Sequence, residues 1–178
     1  MLATAEALAA IGVQVRRFNF PYRERGAKIP DPMPKLRERF AAEADAARSE
    51  ARGRPLILGG RSMGGRVATM LAAEGFACDA LLLFAYPLHP AGKPEKRRDA
   101  HLARIDVPVL CLNGTRDPLC SRELMEQTLA RLGASWTMHW LDGADHSFHV
   151  LKSSGRRDDE VMNEVGDAAA HWVAMLKR

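Results

Sequence analysis

Apolar residues recur at helical spacing at the start of the chain, through Leu2, Ala5, Leu8, Ala9 and Ile11, and Gly12 stands where such a helix would stop. From 13 to 20 ("VQVRRFNF") apolar and polar positions alternate and Pro21 follows, which predicts a strand. A loop rich in proline and arginine, "PYRERGAKIPDPMP", leads to a polar, alanine-rich helix over 35–52. Short apolar runs and helical segments then take turns. The expected order is strand 56–59, helix 65–74, strand 80–86, a long loop holding the charge run "KPEKRR", and a short helical piece at 99–104. Strand 109–113, helix 122–132, strand 136–141, a loop through His149 and a last helix over 159–176 complete the chain.

Strands 56–59 and 80–86 are apolar on both faces, and strands alternate with helices almost throughout. This pattern predicts an α/β fold, a mostly parallel sheet with helices on both faces. At 178 residues the chain fits a single domain, 1–178, with enough core to need no disulfide or metal staple. The net charge of +4 is spread over several loops, so nucleic acid is not an expected partner. No run approaches the length of a membrane span. The start of the chain lacks a basic leader and carries Glu6 within the apolar pattern, so it reads as a helix and not as a signal peptide. Cys78, Cys111 and Cys120 form no CxxC pair and are odd in number, which points to a reduced, cytoplasmic setting.

The candidate chemistry lies at "LGGRSMGGR", between strand 56–59 and helix 65–74. Gly60-Arg61-Ser62-Met63-Gly64 fits G-x-S-x-G, in which small residues let the chain turn sharply and leave the serine exposed at the strand's C-terminal end. Ligands bind at that edge of a parallel sheet. The start of the following helix offers the Met63 backbone N–H to an oxyanion. Two other glycine-rich sites fit less well: no G-K-[ST] follows, as a Walker loop requires, and the glycine spacing is not that of a dinucleotide fingerprint. A tight turn with an idle serine remains an alternative.

A nucleophilic serine needs a base, and the base needs an orienting acid. Asp117 in "LNGTRDPL" and His146 in "GADHSF" follow later strands at the same sheet edge, giving the order Ser, Asp, His. His149 competes with His146 as base. Asp142 and Asp145 compete with Asp117, although they share the histidine's own loop. Cys120 is a weaker nucleophile candidate because no positioned turn holds it. Arg23, Arg25, Arg61 and Arg116 lie on loops at the strand ends, where arginines can hold a carboxylate or phosphate of a substrate. No cluster with metal-ligand spacing is present, so neither metal nor organic cofactor is expected.

Together "GGRSMGGR", "LNGTRDPL" and "GADHSF", with "FNFPYRERG" earlier, resemble small bacterial α/β-hydrolases of the dienelactone-hydrolase-like group, related to a subunit of the nuclear non-specific-lethal complex. The resemblance implies an α/β-hydrolase fold without a cap domain, with Ser62, Asp117 and His146 as a catalytic triad acting on a carboxylic ester, lactone or thioester. Relatives carry an earlier strand ending in a "HGAG"-like loop that supplies a second oxyanion donor, and this chain begins just beyond it. In that fold the strand would lie between 13–20 and 56–59. The expectation is therefore an N-terminally truncated domain, with a natural protein longer by about 25 residues, one strand and its loops. The gap invites a second copy or another partner to cover it. A non-catalytic scaffold or binding module, or an inactive fragment, is the alternative to an enzyme.

Overall fold

The computed structural model describes residues 2–132 and 135–176. Strands β1 (Ile57–Arg61), β2 (Ala80–Phe84), β3 (Val109–Gly114) and β4 (Trp136–Leu141) form one parallel sheet in the order β1-β2-β3-β4. Around it pack α1 (Leu2–Ala10), α2 (Pro21–Glu24), α3 (Met33–Ala51), α4 (Met63–Ala73), α5 (Arg122–Leu129) and α6 (Asp158–Leu176). The predicted helices and the last four predicted strands are all present, with ends slightly displaced. The piece expected at 99–104 is a short 3₁₀ turn, Leu102–Arg104, and α2 forms inside the stretch expected to be a loop, with Pro21 in its first turn.

The side-chain period of two along each strand divides the core. Leu81, Leu83, Val109 and Cys111 face one side, where they pack with Leu36 and Phe40 of α3, Val67, Ala68 and Leu71 of α4, and Met125 of α5. Leu82, Phe84, Leu110 and Leu112 face the other, against Leu8 of α1 and Val161, Val165, Ala169 and Val173 of α6. Burial on both faces explains why β2 reads as an unbroken apolar run and β3 as one up to Asn113, whereas β1, also read as apolar on both faces, is an edge strand and only partly buried. All four strands run the same way, so every C-terminal end lies on one edge. The long connection after β2 holds only the 3₁₀ turn, and among the described residues no lid domain covers that edge. No described helix is long and apolar enough to cross a membrane.

One expected strand does not form. Among the described residues, 13–20 belong to no sheet, and Gln14 to Asn19 take part in no backbone–backbone hydrogen bond. Alternation of apolar and polar residues needs a neighbouring strand to become a ladder, and among the described residues no strand lies beside this segment. Between this segment and the free edge of β1 lies a slot of about 600 Å³. Val13, Phe18, Phe20, Phe40, Ile57 and Phe84 line it, with Arg23, Arg61 and Met63 also on its walls. Phe18, Phe20 and Phe40 cluster there, the Phe18 ring meeting both others edge-on at 5.6 and 5.2 Å. Packing of these rings holds 13–20 against α3 without any strand pairing.

Candidate active site

The turn from β1 into α4 is built by close backbone approach. A Cβ on Gly60 would lie 2.6 Å from the Gly64 carbonyl carbon, and one on Gly65 would lie 2.9 Å from the Gly60 oxygen. Any side chain at either position would have to force the strand and the helix apart. Gly64 has open space around its Cα, so of these three glycines it is the one that sterics leave free. Ser62 sits at the corner with φ 51 and ψ −111. A non-glycine residue held there stores about 1–3 kcal/mol of backbone strain. Its N–H is fixed by the Phe84 carbonyl at 2.8 Å. The Ser62 side chain makes no capping bond to α4, although it occupies the N-cap position. The hydroxyl is thereby left for another partner.

That partner is His146. Its Nε2 lies 2.9 Å from Ser62 Oγ, and its Nδ1 lies 2.8 Å from Asp117 Oδ2. The Asp117 side chain is fully buried while the imidazole keeps 22 % of its surface exposed. A buried carboxylate needs its oxygens satisfied. Leu119 N donates to Asp117 Oδ1 at 2.8 Å, and Asn113 Nδ2 donates to Oδ2 at 3.2 Å beside the imidazole. Asn113 is itself buried at the end of β3. Its Oδ1 accepts from Tyr86 N at 2.9 Å and its Nδ2 also reaches Tyr86 O at 3.1 Å. It thus ties the acid to the end of β2. The one signal of Asn113 along the chain is a polar residue closing an otherwise apolar strand.

The loop that presents His146 is a tight turn organised by Asp145, whose Oδ1 accepts from Ser147 N at 2.7 Å and His149 N at 3.0 Å. Ala144 bridges Val150, and Gly114 passes so near Ala144 that a Cβ would lie 2.1 Å from its oxygen. The competing residues are occupied elsewhere. His149 Nδ1 lies 2.8 Å from Asp158 Oδ2, and Asp142 takes a 3.4 Å bond from Thr115. Burial pushes the Cys120 and Cys111 thiols far up and Cys78 up to about 11, leaving none of them as a ready thiolate.

The four arginines are placed differently from one another. Arg25 Nη2 donates to Asp31 Oδ1 at 2.8 Å, and Arg116 Nη1 donates to the Gly143 carbonyl at 2.8 Å. Arg61 Nη2 donates to the His146 carbonyl at 2.8 Å, while Arg23 lines the slot beside β1. Met63 is the first residue of α4, so its N–H belongs to the turn that has no intrahelical acceptor. Among the described residues no group of three or more His, Cys, Asp or Glu side chains is arranged to hold a metal ion.

A family model described as "Alpha/beta hydrolase domain" matches residues 1–174. Several solved structures share the fold. An α-β serine hydrolase homologue from Coxiella burnetii superposes with a TM-score of 0.72 at 20 % identity, covering 94 % of this chain and 74 % of that one. A serine hydrolase without a lid from Xanthomonas campestris gives 0.71 at 22 % identity, with 96 % and 72 % covered. Est1E from Butyrivibrio proteoclasticus, solved with ferulic acid bound, gives 0.72 at 16 % identity, with 97 % and 82 % covered.

Proposed function

The chain belongs to the α/β-hydrolase domain family, and on that premise we propose that it is a serine hydrolase acting on ester-like bonds through Ser62, His146 and Asp117. The observation that carries this reading is the continuous relay from Ser62 Oγ to His146 Nε2 and from His146 Nδ1 to Asp117 Oδ2. His146 takes the serine proton as Oγ attacks the carbonyl carbon of an ester, lactone or thioester. Asp117 holds the imidazole in the tautomer that leaves Nε2 free to accept, then stabilises its charged form. The Met63 N–H receives the oxyanion, and the histidine hands the proton to the leaving group. Water activated by the same histidine then releases the acyl group from Ser62.

An oxyanion donor is worth about 10²–10³ in rate, so the Met63 N–H is expected to support measurable turnover. Arg23, on the wall of the slot near the elbow, is placed to favour an anionic substrate group, whereas Arg25, Arg61 and Arg116 are already engaged within the protein. The test is reaction with a fluorophosphonate probe and mapping of the modified residue by mass spectrometry. Label on Ser62 of the folded chain is expected; a folded sample that takes up none would defeat the enzyme reading.

A second reading, a binding module, is favoured by the slot. Residues 14–19 lack backbone partners on one side of it and β1 has a free edge on the other, so a strand from a second copy of this chain would satisfy both. Hydrogen exchange should then slow at 14–19 and 57–61 as protein concentration rises. Rapid exchange there at every concentration, with a monomer in sedimentation, would remove self-association.

A further inference from the structure

Arg61 occupies the x position before Ser62, on the last residue of β1, and its side chain is exposed. Only two hydrogen bonds between described residues join the 57–63 stretch to the 142–150 loop. One is the His146–Ser62 contact itself, and the other runs from Arg61 Nη2 to the His146 backbone oxygen at 2.8 Å. The same guanidinium lies over the Phe148 ring, 5.9 Å from its centroid. Phe148 is buried and has φ 65, an unusual conformation for an aromatic residue that fixes where its ring points. The loop's other hydrogen bonds are internal or run to Asp117, Arg156, α6 and the end of β3, so none of them joins it directly to the nucleophile turn.

We propose that Arg61 is a positioning residue that clamps the histidine loop onto the nucleophile turn, setting the His146–Ser62 distance. This inference rests on the reading of Ser62 as nucleophile. A guanidinium suits the task because it donates a directed hydrogen bond in its plane while its face stacks on an aromatic ring. The elbow is rigid, since Gly60 and Gly65 are locked against each other and Ser62 N is held by Phe84. The loop is rigid as well. Apart from the His146–Ser62 contact itself, the Arg61 bond is the one hydrogen bond between described residues that ties the loop directly to the elbow, and misplacing a reacting group by about 1 Å can cost on the order of 100-fold in rate.

The test uses a small neutral substrate, p-nitrophenyl acetate, on which an arginine has no carboxylate to bind. For Arg61→Ala, kcat should fall about 10- to 100-fold with KM unchanged, while the urea midpoint stays at the parent value because the side chain is exposed. Ethylguanidinium in the assay should restore part of the lost kcat, and Arg61→Lys, which can still donate to the His146 oxygen, should keep most of it. Unchanged kcat in Arg61→Ala, or a loss seen only as higher KM with carboxylated esters, would overturn the clamp and leave Arg61 a substrate contact. A parent chain that neither turns over nor takes fluorophosphonate at Ser62 would overturn the nucleophile reading and the clamp with it.

Discussion

Replacing Ser62 with alanine will lower ester hydrolysis by about 10⁴–10⁶ relative to the chemistry of an assembled relay, to the residual rate that the oxyanion donor and binding alone supply. The hydroxyl is the one group in the site able to form the acyl intermediate, and Ser62 caps no helix, so the variant should fold as the parent does. His146→Ala should cost nearly as much, because Oγ then loses the base 2.9 Å away. The double variant should be no slower than either single one. Groups that act as a unit contribute their effect once, so non-additivity is the signature of a relay and not merely of two helpful residues. Steady-state kinetics on p-nitrophenyl esters measure all three. Residual turnover in Ser62→Ala near the parent rate would move the nucleophile elsewhere and dismantle the proposed mechanism.

The sheet was legible because β2 and β3 are buried on both faces and cannot hide their apolar runs, and because the helices between them keep their own period. The grouping of Ser62, Asp117 and His146 was legible for a related reason. In a parallel sheet the residues after each strand gather on one edge, so these three could be expected there together, with His149, Asp142 and Asp145 as competitors that only the contacts in space set apart. Residues 13–20 differ. Alternation reports that a segment has two unlike faces, but it cannot report whether a neighbour is present to complete the hydrogen bonds, and Val15 is in fact exposed. Asn113 was missed for another reason, since its part depends on what lies across from it in space: read along the chain it only closes a strand, and its contacts to Asp117 and Tyr86 bring it to the site. Arg61 was singled out, but as an arginine for a substrate anion; its bond to the His146 carbonyl is not visible along the chain.

Asp117→Asn should lower kcat by about 10⁴ while preserving substrate binding. The reason is local hydrogen-bond polarity. In the parent, Oδ2 accepts from both His146 Nδ1 and Asn113 Nδ2, and Oδ1 accepts from Leu119 N. An asparagine has one acceptor oxygen for these three donors. If that oxygen stays with Leu119, the amide NH₂ faces the imidazole and drives its proton to Nε2, where it can no longer accept from Ser62. If the oxygen turns to the imidazole, the NH₂ meets the Leu119 N–H in a buried site, at about 1–3 kcal/mol for each group left unsatisfied. Asn113→Ala should behave in the opposite way. It strips the buried Tyr86 N–H and carbonyl of their partner but leaves Asp117 bonded to His146 and Leu119, so stability falls by a similar amount and kcat only modestly. Urea denaturation and steady-state kinetics on the two variants separate these effects. Equal activity losses in both would mean that Asp117 works only by holding the end of β3 in place, and that His146 is oriented by something other than its carboxylate.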